Sequence, residues 1–469
     1  MQQIPAGVEN SEKSRSGTGR RRKRFGSLRQ FLLYVGPALM VSIAYMDPGN
    51  YGTDLQAGAG FKFGLVWAVW LASGMAMLLQ YLSGKLGIAS GYSLAELVRQ
   101  SLRRRGLVIS YWLGAEIAAA ATDLAEYLGT VIALNLLFGI PLLYAAIFGA
   151  FDVLIIMAMA TRKFRVLEQF FMLLTSVLVI GLLYQLFVVK PSFAQVAYHS
   201  VVPGAFSYDA ILLVVGIVGA TVMPHALFVH SWLTKNKLEM TDSGKLLESR
   251  NGTMNNGISP ASKADPPLAS SSSSPPAQER AKPSLETKQL TRKLHMKETI
   301  LFLTIAAVVN VGILLVATPL YPNPNITIQE TVQELGRIFA PIVGTIFILT
   351  LLASGLLSST LGTLSGQVIM EGLIEKRWNI WARRIVTRFV NVFPTTIAIL
   401  LRVNPLSLLI YSQVILSLMI PLPMIPLVYY TSKRKFMGEL VNSKLTTVFS
   451  IITVALIVGL NSYLILAGI

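Results

Sequence analysis

Apolar stretches long enough to cross a bilayer alternate along this chain with short polar connections. The pattern predicts about eleven membrane-spanning helices, over 31–58, 64–88, 108–138, 141–160, 167–189, 208–233, 299–319, 338–370, 380–402, 405–430 and 444–466. Two of these runs, the first and the sixth, are read as interrupted. The first, FLLYVGPALMVSIAYM, leads into Asp47-Pro48-Gly49-Asn50, and the sixth, ILLVVGIVGATVMPHALFVH, carries Pro224 deep inside. Proline has no N–H to donate and its ring clashes with the preceding turn, so both helices should break at these points. One stretch has no apolar period: about 235–297, rich in Ser, Pro and Asn, reads as a disordered loop. The expected layout is a basic tail over 1–30, six spans over 31–234, the loop over 235–297 and five spans over 298–469.

Composition agrees with an all-α membrane protein, since 53% of residues are hydrophobic and only 13% charged. The formal net charge of +17 alone would suggest nucleic acid as a partner. The placement of the cations explains it better. Arg20 to Arg24, Arg103 to Arg105, Arg162, Lys163 and Arg165, the loop after the sixth span, Lys376 with Arg377, and Lys433 to Lys435 all follow an even number of crossings. Cytoplasmic loops hold such excess charge, so the expected location is a cell membrane, crossed many times, with the N-terminus cytoplasmic and the C-terminus outside. Cysteine is absent, which excludes disulfides and thiolate chemistry. No nucleotide-binding or hydrolase motif sits in a supporting context, so neither an enzyme nor a cofactor is expected, and uphill transport would draw on an ion gradient.

Asp47 carries the strongest chemical signal. A carboxylate at a span's centre costs about 2.5 to 3.5 kcal/mol even on lenient insertion scales, so it must face something that offsets the cost. Irregular backbone at that depth survives only inside protein or beside a wet cavity. Asn50 adds an amide oxygen. Pro224 cannot donate to the Ala220 carbonyl, which is thereby freed, and Met223 lies three residues from Ala220 with a thioether. Hard oxygens alone would suit magnesium or calcium, whereas an added soft sulfur favours manganese or iron.

DPGN in the first span, MPH in the sixth, ATDLAEYLGT at 121–130, GTLSGQVIMEG at 362–372 and SQVILSL at 412–418 together resemble the NRAMP family of proton-coupled divalent metal transporters. The resemblance runs from about residue 30 to 465, with the motifs in family order. It implies a LeuT-like fold of two inverted five-span repeats with broken helices 1 and 6. It implies metal held by Asp47, Asn50, Ala220 and Met223, with Gln413 approaching during closure. The implied cargo is Mn2+ or Fe2+, with cobalt and cadmium as further substrates, imported together with H+. MPHA stands where many members have MPHN, and Lys85 replaces a common arginine. Two other readings stay open: a metal sensor that signals without transport, and a carrier of an organic substrate on the same fold. No residue pattern fixes the oligomeric state.

The third span carries Glu116, Asp123 and Glu126, whose spacings of seven and three place them on one helical face. Arg383 and Arg384, near the inner end of the ninth span, are the candidate partners, and the family resemblance implies the same pairing. Together with Asp47 these groups form either a structural ion-pair network or a proton route. His225, next to Pro224, could relay protons from the metal site. His230 is a further candidate.

Overall fold

The computed structural model describes residues 36–151, 164–240, 284–376 and 378–467. The basic tail over 1–30, the second half of the fourth span and the middle of the 235–297 segment lie outside them. The chain is helical throughout the described residues. The first span is two helices, α1 (Pro37–Ala44) and α2 (Pro48–Phe61), followed by α3 (Val66–Ser90), the short α4 (Leu94–Ser101) and α5 (Arg105–Phe138). Next come α6 (Leu142–Gly149), α7 (Phe164–Val189), α8 (Phe193–His199), and a second broken span made of α9 (Tyr208–Val222) and α10 (Pro224–Met240). The remainder is α11 (Leu285–Ala317), α12 (Ile328–Ile338), α13 (Pro341–Ile374), α14 (Ile380–Leu400), α15 (Pro405–Met419), α16 (Pro421–Thr431), α17 (Arg434–Met437) and α18 (Lys444–Leu466).

Eight spans among the described residues are long and apolar enough to cross a membrane. The first and ninth predicted spans correspond to the α1–α2 pair and α14, and α6 is the described part of the fourth. Apolar side chains such as Leu173, Leu183 and Phe187 on α7, and Leu445, Val448 and Ile452 on α18, point outward. An exterior of this kind belongs against hydrocarbon.

Both breaks form in the same way. Pro48 and Pro224 are each the first residue of a new helix, a position where the missing N–H would have had no partner in any case. Asp47 caps α2, its carboxylate accepting the Asn50 N–H at 2.8 Å. Met223 separates α9 from α10 with φ 47° and ψ 91°. Left-handed backbone at a methionine is strained, and surrounding structure must hold it. Each residue immediately before these prolines is therefore a candidate metal ligand set at a turn.

The loop expected over 235–297 is helical at both ends. α10 continues to Met240, and α11 begins at Leu285 because Ser284 caps it, its hydroxyl accepting the Thr287 N–H at 3.2 Å. The first third of α11 is polar, which hides it from a hydropathy reading, but Thr287, Thr291, His295 and Glu298 are buried. Glu298 accepts the Gly36 N–H at 2.6 Å and the Ala38 N–H at 3.2 Å, fixing the exposed donors at the start of α1 to α11.

Candidate metal site and the ionisable residues beside it

The two broken spans meet through Asn50. Its side-chain N–H group reaches the Tyr45 carbonyl at 2.9 Å, Asp47 Oδ1 at 2.9 Å and, across the interface, the Ala220 carbonyl at 3.5 Å. Its oxygen accepts the Thr221 hydroxyl at 3.2 Å. Three oxygens thus converge on one polarised NH2 group, an arrangement equally suited to a small cation. Asp47 Oδ2 has no hydrogen-bond partner among the described residues. Met223 is buried at the break beside them, 1% exposed. The Tyr45 carbonyl was not anticipated; its signal was the break itself, which releases acceptors on the α1 side as well as donors on the α2 side.

Gln413 on α15 lies against this cluster. A Cβ at Gly49 would overlap its amide, so glycine lets that amide pack directly on the backbone at the start of α2. Its Oε1 has no hydrogen-bond partner among the described residues. Gly129 on α5 admits Pro48 equally closely. The third and tenth predicted spans therefore both press on the first break.

The carboxylates of α5 are not all served by the expected cations. Glu116 pairs with Arg383 at 2.7 Å and accepts the Trp112 indole N–H at 2.9 Å. Asp123 instead faces Arg388, at 3.6 Å, and accepts from Asn391. Arg388 also stacks over Tyr127, 5.1 Å from the ring centroid. Arg383 thus meets Glu116 as expected, while Asp123 has a partner, Arg388, that the sequence did not suggest. Asp123 lies two turns beyond Glu116, so its partner must lie further along α14 than Arg383 does. The side chain of Arg384 is outside the described residues. Glu126 sits against α13, where a Cβ on Gly362 would crowd its carboxylate.

The two histidines part company. His225 Nδ1 is 2.9 Å from the Thr122 hydroxyl on α5, one residue from Asp123. His230 Nδ1 is 2.8 Å from Gln80 Oε1 on α3, and its ring packs edge-on against His295 of α11, centroids 4.9 Å apart. The structure thus joins His225 to α5 through Thr122, and His230 to α3 and α11. His295 was missed because it falls in the segment read as a loop.

A cavity of about 910 Å³ lies at the N-terminal end of α5, bordered by Arg99, Arg103, Trp112, Glu116 and Arg383, and a smaller one continues from it past Glu116 to Asp123. Glu116 lines both cavities and Asp123 the smaller one; Glu126 lines neither.

Residues 38–467 match the natural resistance-associated macrophage protein-like (Nramp) family. The divalent metal cation transporter MntH of Bacillus subtilis is 34% identical over 446 residues, covering 94% of each chain. Among solved structures, the manganese transporter of Eremococcus coleocola aligns with a TM-score of 0.74 and 28% identity, over 97% of this chain and 88% of that one. Mhp1, a nucleobase-cation-symport-1 transporter, shares the architecture at 13% identity and a TM-score of 0.57, over 92% of each chain. The fold is LeuT-like, with its first and sixth spans broken.

Proposed function

The chain belongs to the Nramp family, and from that premise we propose that it imports divalent transition metals with protons by alternating access. Manganese and ferrous iron are the principal cargo, with cobalt and cadmium as further substrates. The observation that carries this reading is the convergence of the Tyr45 and Ala220 carbonyls and Asp47 Oδ1 on the Asn50 amide, with Met223 at the same pair of breaks. An arriving ion takes the place of that NH2 group. Asp47 supplies charge, the carbonyls and the Asn50 oxygen supply hard ligands, and the Met223 sulfur disfavours calcium and magnesium. Gln413, already against Gly49, completes the shell as the site closes.

Protons leave Asp47 by a separate path. His225 and Thr122 lead to the α5 face, where Asp123 with Arg388 and Glu116 with Arg383 carry the proton toward the cavity beyond Glu116. Glu126 contributes from the α13 side. The cation-rich connections support an orientation with the N-terminus and the connection between the sixth and seventh spans in the cytoplasm and the C-terminus outside. With the interior about 100 mV negative, a divalent ion gains roughly 4.6 kcal/mol on entry and a proton about 2.3. No nucleotide is needed.

Purified protein in vesicles, with a metal-quenched dye and a pH dye inside, tests the reading. External Mn2+ should quench the first dye and acidify the lumen. Asp47→Ala should abolish both signals. Wild-type uptake by that variant would refute the site, and metal entry without acidification would refute the coupling.

A further inference from the structure

α2 carries a second carboxylate. Asp54 lies seven residues beyond Asp47 and is fully buried. Neither of its oxygens has a hydrogen-bond partner among the described residues. The same holds for both side-chain polar atoms of Asn310 on α11, a residue only 1% exposed. Buried polar groups left in this state are rare and point to something that satisfies them.

Register brings the two residues to the same level of the paired helices. The first span and α11 run parallel: the start of α1 bonds Glu298, and further along a Cβ on Gly58 would overlap the Leu314 carbonyl. Asp54 precedes Gly58 by four residues and Asn310 precedes Leu314 by four. Each is one turn earlier on the stripe its helix turns toward the other.

We propose that Asp54 and Asn310 hold a second divalent cation, a station between the Asp47 site and the α12 end of the molecule. The nearest charge along α2 is Asp47, of the same sign, and a bound cation would compensate the buried carboxylate. A proton on Asp54 would instead let its carboxyl and the Asn310 amide satisfy one another without any ion, an outcome that an ion count separates from a bound cation. A divalent ion with its water draws on both side chains. The position fits a route: beyond Asp54, the Asn323 N–H donates to the Ala59 carbonyl at 2.9 Å and Gln56 reaches the Pro324 carbonyl, so the connection before α12 closes over this end of α2. The ligands are oxygen alone. Such a station should take calcium or magnesium as readily as manganese and leave selection to Met223. Only the identity of the cation rests on the transport reading above.

Equilibrium binding of Mn2+ to the purified full chain, counted as ions per protein, decides the matter. Wild type should hold two ions, Asp54→Asn one, Asp47→Ala one and the double variant none. Asn310→Ala should weaken the Asp54-dependent ion about tenfold or more, and excess calcium should release that ion while sparing the other. Retention of the Asp47-dependent ion shows that Asp54→Asn is folded. A single ion in wild type, unchanged by Asp54→Asn, would overturn the second station and leave the transport reading standing. Two ions surviving Asp54→Asn would overturn it as well. No binding by wild type would remove both proposals.

Discussion

Asn50 holds one oxygen of Asp47 twice, through its backbone N–H at 2.8 Å and its side-chain amide at 2.9 Å, and leaves the other oxygen unbonded among the described residues. The carboxylate is thus aimed before any ion arrives. Hydrogen bonds to a charged group contribute about 1.5 to 3 kcal/mol. Asn50→Ala removes one such bond and one ligand, and manganese affinity should fall roughly 10- to 100-fold. Titration calorimetry on the purified variant checks this; an unchanged affinity would show that Asn50 neither positions Asp47 nor binds metal.

Met223 is the only soft donor proposed for the site. Met223→Ala should improve uptake of calcium and magnesium relative to manganese, because the remaining oxygens have no reason to prefer a transition metal. Competition assays in vesicles read the ratio directly, and a wild-type ratio would remove the selectivity role of the sulfur.

Arg388 neutralises Asp123 inside the protein, both side chains being nearly inaccessible. Breaking one partner out of such a pair costs about 3 to 5 kcal/mol, since the other charge is left buried. Arg388→Ala should therefore lower the thermal midpoint, and adding Asp123→Asn should recover most of it. If the double variant is no better than the single one, the pair is not what Arg388 stabilises.

Gly49 gives a steric prediction. A methyl group there meets the Gln413 amide, and overpacking of this sort costs about 1 to 3 kcal/mol. Gly49→Ala should slow manganese uptake, and Gly49→Ala with Gln413→Ala should restore part of it if the two residues approach during closure. Equal uptake by both variants would place Gln413 outside the closing step.

The residues that proved legible in sequence are those whose signal is local. Proline with an ionisable neighbour deep in an apolar run marks a helix break here, so Asp47-Pro48 and Met223-Pro224 could be found without a fold, whereas Pro394 and Pro426 stay inside helices. The acids of α5 were visible for the same reason, as charges on one face of an apolar helix. Arg383, which pairs with Glu116, was among the candidates, but the partner of Asp123 was not, because Arg388 lies 265 residues from Asp123 and only the packing of α14 on α5 selects it over Arg383. His295 and Glu298 were hidden by the polar first third of α11, where burial comes from neighbouring helices and hydropathy says nothing. Asp54 and Asn310 each look like an isolated polar residue in a span, and their significance lies in the register of α2 against α11.

Crystals grown with Mn2+ and measured at the manganese absorption edge would locate the ion without assumptions about its ligands. The strongest anomalous peak is expected between Asp47, Asn50, the Ala220 carbonyl and the Met223 sulfur, with the Asn50 amide turned so that its oxygen faces the metal. A strongest peak away from both breaks, with the Met223 thioether turned from Asp47, would contradict the site on which the transport reading stands.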